Sequence, residues 1–376
     1  MRFLLLLLCP LVARSWSANF AHAGAWVGSS LESTPLFFKG RLLLMQSQMG
    51  DFAPDGLSHS FFCIFDGASG EKLSCPAIAS GYAFCSALVD DTPGRNESLW
   101  VFCSAWDRAN NRCPDPGWGC GACADPAGGC HIGAFSCAAE DVSQCSWTFG
   151  KALFMPGHLT VPNVGVGLVP AGAATPAALP RHQAFMALEA EFSVAVNVGR
   201  DGDLASNWIF LSPDDFAVEG VGNSGLCPFA RYDLATAAYY VGGGGNNINL
   251  MRSANLTRGS WEAPRLNGGS PIIEQGCLRG AEDCAPGSPV ARIAEGLYTA
   301  YWLNGSDRGD RLFLNNLSRW NFAVNDADVC DNGTHTHFIY GQCAQTAPKN
   351  FTGKAGNFYQ LGIYPGTVGE WLASYF

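Results

Sequence analysis

Along most of this chain apolar and polar positions alternate at the two-residue period of a strand, and the strands come in recurring groups. Each group has two parts. The first is an apolar strand, a turn and a second aromatic or β-branched strand. The second is another short strand, a Ser, Asp or Gly turn and usually a Trp. First parts run over Pro35 to Ser47, Ser86 to Ser104, Asn163 to Glu189 with a long insertion, Pro228 to Gly242, and Asp328 to Gly341. Second parts run over Phe61 to Lys72, His131 to Trp147, Trp208 to Phe216, Asn247 to Trp261, and Phe358 to Trp371. No stretch carries the long i, i+3, i+4, i+7 stripe of an amphipathic helix. A unit of about four short strands cannot bury both its faces alone, so its repetition predicts the blades of a β-propeller. Five units predict an all-β, single-domain, five-bladed β-propeller. Its ends must meet to remove the last open sheet edge, which puts the segment before Glu32 beside the strand from Tyr359 to Tyr364.

Composition fits that picture and narrows the setting. The chain has 376 residues, 48% apolar and 14% charged, enough to give a core to five blades of roughly 40 to 50 residues each. A net charge of −10 excludes a nucleic-acid partner, because phosphate backbones are held by clustered Lys and Arg. Arg2 precedes an apolar run from Phe3 to Val12, followed by small residues suited to cleavage after Ser17 or after Ala23. Residues 1–23 therefore read as a signal peptide and 24–376 as the propeller domain. The run is too short to span a bilayer, and no other stretch approaches the roughly 20 apolar residues a span needs. The expectation is a secreted monomer with no membrane span.

The cysteines agree with export. Fifteen lie beyond Cys9, which suits an oxidising destination. Seven fall between Cys103 and Cys145, around a Gly- and Pro-rich loop, where bridges that staple the loop are expected. Cys120-x-x-Cys123 within it has the spacing of half a zinc site, a reading that suits a reducing compartment better. Proximity suggests Cys63 with Cys75, Cys277 with Cys284, and Cys330 with Cys343. An odd total leaves one thiol over, and Cys227 is the candidate. Six N-x-S/T triplets, at Asn96, Asn255, Asn304, Asn316, Asn332 and Asn350, fit a glycosylated product.

Candidate chemistry follows from the ring. Inner strands of a propeller begin at one mouth of the axial channel, so residues at those starts converge. They are Glu32, Ser33 and Thr34; Cys85 and Ser86; Asn163; Leu226 and Cys227; and Asn325 to Asp328. Glu189, in the strand FMALEAEF, adds a further carboxylate on the face shared by Phe185, Ala187 and Glu191. Glu32, Glu189, Asp326 and Asp328 are the candidate catalytic residues, and Thr34, Ser86, Asn163 and Cys227 the candidate substrate-binding ones. Glycosidic bond hydrolysis needs two such carboxyl groups, one protonated to donate to the leaving oxygen and one to activate water or attack. Plainer roles stand beside these. Glu32 can hydrogen-bond strand-end amides, Glu189 can be a buried carboxylate with a partner, and Asp326 and Asp328 can form turns or hold calcium. His335 and His337 share one strand face, as an exposed strand or a metal pair. No cofactor and no resident metal are expected.

The strings E-S-T-P-L-x-F-K-G-R-L (Glu32 to Leu42), C-P-x-x-R-Y…Y-Y (Cys227 to Tyr240), I-x-L-x-R-S-x-x-L…W-E (Ile248 to Glu262), D-x-D-x-C-D (Asp326 to Asp331) and G-x-x-x-E-W-L-x-S-Y-F (Gly366 to Phe376) resemble a family of five-bladed propeller proteins related to glycoside hydrolase families 43 and 32. The resemblance covers residues 30 to 376, with insertions at 105–130, 170–182 and 275–315. It implies an Asp base in the first blade, an Asp in the second and a Glu acid in a later one. This chain departs from that pattern. Glu32 stands at the first position, Phe84 to Ala87 at the second without a carboxylate, and Leu226 to Pro228 at the third without one. Two functions follow: an exported glycosidase acting on a poly- or oligosaccharide through funnel carboxylates, or an inactive propeller that binds a glycan or a protein there.

Overall fold

The computed structural model describes residues 30–50, 59–69, 71–105, 131–155, 163–189, 192–220, 228–243, 247–265, 273–274, 277–278, 322–344 and 357–376. Their strands form five antiparallel sheets in chain order. The first holds β1 (Ser30–Phe38), β2 (Arg41–Gly50), β3 (His59–Asp66) and β4 (Lys72–Ser74). The second holds β5 (Tyr82–Asp90), β6 (Ser98–Ala105), β7 (His131–Cys137) and β8 (Thr148–Phe154). β9 (Val164–Leu168), β10 (Ala184–Leu188), β11 (Val194–Asn197) and β12 (Trp208–Phe210) make the third. β13 (Phe229–Asp233), β14 (Ala238–Gly243), β15 (Asn247–Ser253), β16 (Ile273–Glu274) and β17 (Cys277–Leu278) make the fourth. The last is β18 (Phe322–Asp331), β19 (His335–Ala344) and β20 (Asn357–Pro365), followed by helix α1 (Val368–Ala373).

The first strand of each sheet touches the first strand of the next, from β1 through β5, β9 and β13 to β18, and β18 returns to β1. A ring of inner strands around an axis is the architecture of a propeller. Four sheets carry four or more strands, and the fifth has three among the described residues. The expected set of five four-stranded blades is thus met by four of them. The segment before Glu32 expected to complete the ring lies almost wholly outside the described residues.

Apolar faces of adjacent sheets make the core. Phe38, Leu43 and Phe62 of the first sheet pack on Tyr82, Val101 and Phe135 of the second. Phe102 and Ile132 of the second meet Met186 and Trp208 of the third. Phe185 and Val196 of the third meet Tyr239 and Met251 of the fourth, and Phe229 and Tyr240 meet Val329, Trp371 and Tyr375. Near the axis side chains give way to backbone. A Cβ on Gly165 would stand 2.1 Å from the Pro228 carbonyl oxygen, and one on Gly167 2.7 Å from that of Ala230. Only glycine lets β9 and β13 approach this closely.

Several expectations need correction. The unit ending at Trp371 closes in a helix, whose N-cap Thr367 and Glu370 form a reciprocal capping box. The alternation through FMALEAEF stops at Leu188, where β10 ends. Cys63–Cys75 is a disulfide, but Cys103 bridges to Cys85, outside the Cys-rich loop, and Cys137 to Cys145 within it. Cys330 is unpaired. The strand register sets it opposite His337 and sets Cys343 opposite Ala323, so the two positions lie toward opposite ends of their hairpin, too far apart for a disulfide. Cys120, Cys123, Cys227 and Cys284 lie outside the described residues. No described helix is long and apolar enough to cross a membrane.

Candidate functional site

The axis is sealed by one polar cluster to which every sheet contributes. Asp328, 4% exposed, sits on β18 just after a bulge between Asn325 and Asp328. Arg231 of β13 donates from Nη2 to Asp328 Oδ1 at 2.6 Å. Its guanidinium also donates to the carbonyls of Val329, Val166 and Ala230. Thr34 Oγ1 of β1 donates to Asp328 Oδ2 at 2.7 Å, and Ser86 Oγ of β5 at 3.5 Å. The Val166 amide of β9 completes the circuit by donating to Ser86 Oγ at 3.4 Å. Burial pushes the Asp328 carboxyl up, while Arg231, Thr34 and the Val329 amide pull it down. Breaking such a pair leaves an uncompensated buried charge, so the cluster fastens the ring at its centre.

Bulges prepare this level of the channel. Between Ala83 and Ser86 the β5 register shifts, and Phe84 takes φ 54°, a conformation bulky residues rarely adopt. A third shift falls between Ser30 and Glu32 on β1. An extra residue re-aims the side chains that follow, which is how Thr34, Ser86 and Asp328 reach one point from three strands.

The mouth where the inner strands begin holds the second group. Glu189, half-buried, follows β10, and Asn163, 9% exposed, precedes β9. Asn163 donates to Glu189 Oε2 from Nδ2 at 2.5 Å and from its backbone N–H at 3.3 Å. Burial raises the Glu189 carboxyl, opposed by those two bonds. Asn163 Oδ1 is buried without a partner. Glu32 and Asp326 lie on β1 and β18 two residues before Thr34 and Asp328, on the mouth side of the axial cluster, and are described by backbone alone.

The structure thus brings together Thr34, Ser86 and Asp328 in one cluster, and Glu189 with Asn163 in another. Cys227 is outside the described residues. Arg231 is the residue that sequence reasoning misses. Its one signal is being the only cation in an inner strand whose neighbours are apolar. At the other end of the channel, where the inner strands finish, a cavity of about 640 Å³ is lined by Phe37, Asp91, Leu168, Tyr232, Cys330 and Leu372, among others. Among the described residues no group of three or more His, Cys, Asp or Glu is placed to hold a metal ion.

No protein-family model and no curated protein sequence matches this chain. The chain is similar to several solved structures at low identity. A mutant of a GH43 protein from Bacillus licheniformis is 10% identical with a TM-score of 0.47, over 93% of this chain and 54% of that one. An exo-1,5-α-L-arabinanase from a bovine ruminal metagenomic library is 9% identical with a TM-score of 0.42, over 90% and 94%. The Bacillus subtilis arabinanase is 10% identical with a TM-score of 0.44, over 93% and 96%. This chain spans about half the length of the first of these. The propeller assignment rests on the sheets and their ring, not on these likenesses.

Proposed function

We propose that the chain is an exported, carbohydrate-active propeller protein that hydrolyses an O-glycosidic bond at the mouth where its inner strands begin. The observation that carries this reading is Glu189. A half-buried carboxyl at the mouth, raised by desolvation and held in one orientation by Asn163, is placed as a general acid is. In the reaction Glu189 protonates the leaving glycosidic oxygen. Glu32 or Asp326, at the same mouth, supplies the second carboxylate, as nucleophile or as the base that activates water. Asp328 is committed to Arg231 and supports the site from beneath, with Thr34 and Ser86 holding it in place. Three disulfides support export. The substrate is a poly- or oligosaccharide, and the protein acts as a monomer without a cofactor.

The test is a screen of the secreted protein on aryl glycosides and polysaccharides, with Glu189→Gln, Glu32→Gln and Asp326→Asn alongside. Each variant on the reaction path loses about 10²- to 10⁴-fold in rate with its circular dichroism unchanged. If all three keep the full rate on a cleaved substrate, the assignment fails. A second reading, a glycan-binding propeller without turnover, is favoured by the absence of a carboxylate from the second-blade position, where Cys85 is bridged to Cys103. Saturable binding of an uncleaved glycan, lost in Asn163→Leu, selects it.

A further inference from the structure

Three of the six N-x-S/T triplets fall on described residues, and all three lie on one face. In an antiparallel sheet whose inner strand runs from the mouth outward, the first hairpin and the end of the third strand lie at the far side. Asn96 is in the turn between β5 and β6, and Asn332 in the turn between β18 and β19. Asn255 follows the end of β15, the third strand of its sheet. None lies beside Glu189.

Their surroundings differ. Asn96 and Asn332 are exposed, and Asn255 is half-buried. The Thr334 amide and hydroxyl and the His335 amide all donate to Asn332 Oδ1, at 3.0, 2.8 and 2.8 Å, which fixes the triplet as a tight turn and leaves the exposed Nδ2 toward solvent. Thr257 bonds Asn255 Oδ1 in the same way, but the middle residue Leu256 is fully buried with φ 62°, pinning that triplet to the core. An oligosaccharide needs open space beyond Nδ2, and of these three sites the exposed Asn96 and Asn332 suit it better than the half-buried Asn255.

We propose that Asn96 and Asn332 carry N-linked oligosaccharides, both on the face of the propeller opposite the Glu189 mouth. The inference rests on the export reading made above. The step is a glycosyl transfer from a lipid-diphosphate-linked oligosaccharide. The asparagine Nδ2 forms a bond to the anomeric carbon and gives up one proton, the anomeric C–O bond breaks, and the lipid diphosphate leaves with the electron pair. Asp331, beside Asn332, and Asp91, close before Asn96, both line the far-side cavity. The two glycans therefore stand at the rim of that cavity and leave the mouth clear for a large polysaccharide.

The experiment is expression of the full chain in a eukaryotic secretory host, followed by peptide mass spectrometry after an amidase that converts each glycosylated Asn to Asp. A parallel arm replaces residues 1–23 with a proven signal peptide. Secreted protein is expected to be modified at Asn96 and Asn332 in most molecules and at Asn255 in a clearly smaller fraction. Asn96→Gln and Asn332→Gln each remove one glycan-sized mobility step. Secreted protein unmodified at Asn96 or at Asn332, or with Asn255 occupied as fully as they are, overturns the inference. If only the borrowed signal delivers protein to the medium, and that protein is modified at both sites, the export reading fails and the assignment of the sites stands.

Discussion

Arg231 and Asp328 meet at 2.6 Å across the axis, joining the inner strands of the fourth and fifth sheets, 97 residues apart in the chain. Both side chains are held from several directions, so the pair fixes the spacing of the sheets at the narrowest part of the ring. Asp328→Ala or Arg231→Ala should each cost about 3 to 5 kcal/mol, because each leaves the other charge buried and unpaired. Asp328→Ala with Arg231→Ala should cost less than the two single losses together. Urea unfolding of the four proteins checks this, and additive losses would mean that the two side chains do not act as a pair.

Glu189 has a carboxyl raised in the folded protein by burial. The folded state then holds its proton at a pH where the unfolded chain has released it, so the contribution is full at low pH and lost as pH rises through the folded value. Glu189→Gln should be at least as stable as the parent at pH 7 and should lose that advantage near pH 4. Chemical denaturation at the two pH values gives the answer, and a variant less stable than the parent at pH 7 would contradict the burial cost.

His337 behaves in the opposite sense. Burial, with a smaller effect from His335, depresses its imidazole to about 4, against a weaker upward pull from Asp331. The unfolded chain takes up the proton first, so stability falls as pH drops from about 6.5 toward 4, by on the order of 3 kcal/mol at most. His337→Phe, which keeps an aromatic ring against Phe37, should flatten that part of the curve. Thermal unfolding between pH 7 and pH 4 measures it.

Cys330 is unpaired, and burial raises its thiol well above the usual range. The nucleophile is the thiolate, so a maleimide at pH 7 should leave Cys330 unlabelled in native protein and label it only after denaturation. Peptide mapping distinguishes the two states.

Inner strands such as β5 and β9 are legible in the sequence because nearly every residue is buried and each reads as an apolar run closed by a turn. β11 is harder to read: Val194 to Asn197 is four residues long, with no Trp or turn pair of its own. The Cys330–Cys343 expectation fails because proximity in sequence says nothing about register, and a long hairpin carries its two ends apart. The axial cluster is hidden for a related reason. Thr34 and Asp328 are 294 residues apart, and what brings them together is ring closure plus three local bulges, none of which has a residue signature. Glu189 and Asn163 can be singled out as polar residues at strand ends, but their direct bond depends on the register of β9 and β10.

The three disulfides among the described residues all lie in the first two sheets: Cys63–Cys75 in the first, Cys85–Cys103 and Cys137–Cys145 in the second. Among the described residues the third and fourth sheets carry none and are joined by close backbone approach at Gly165 and Gly167 and by aromatic packing around Tyr239. Each of these bridges closes a loop inside one sheet, so no described disulfide joins one sheet to the next, and the seams of the ring are held by packing between bridged sheets as between unbridged ones. Heat or pulling force can therefore part the ring at a seam between sheets with every described disulfide intact. Reduction then loosens the first two sheets from within and leaves the seams between sheets as they were.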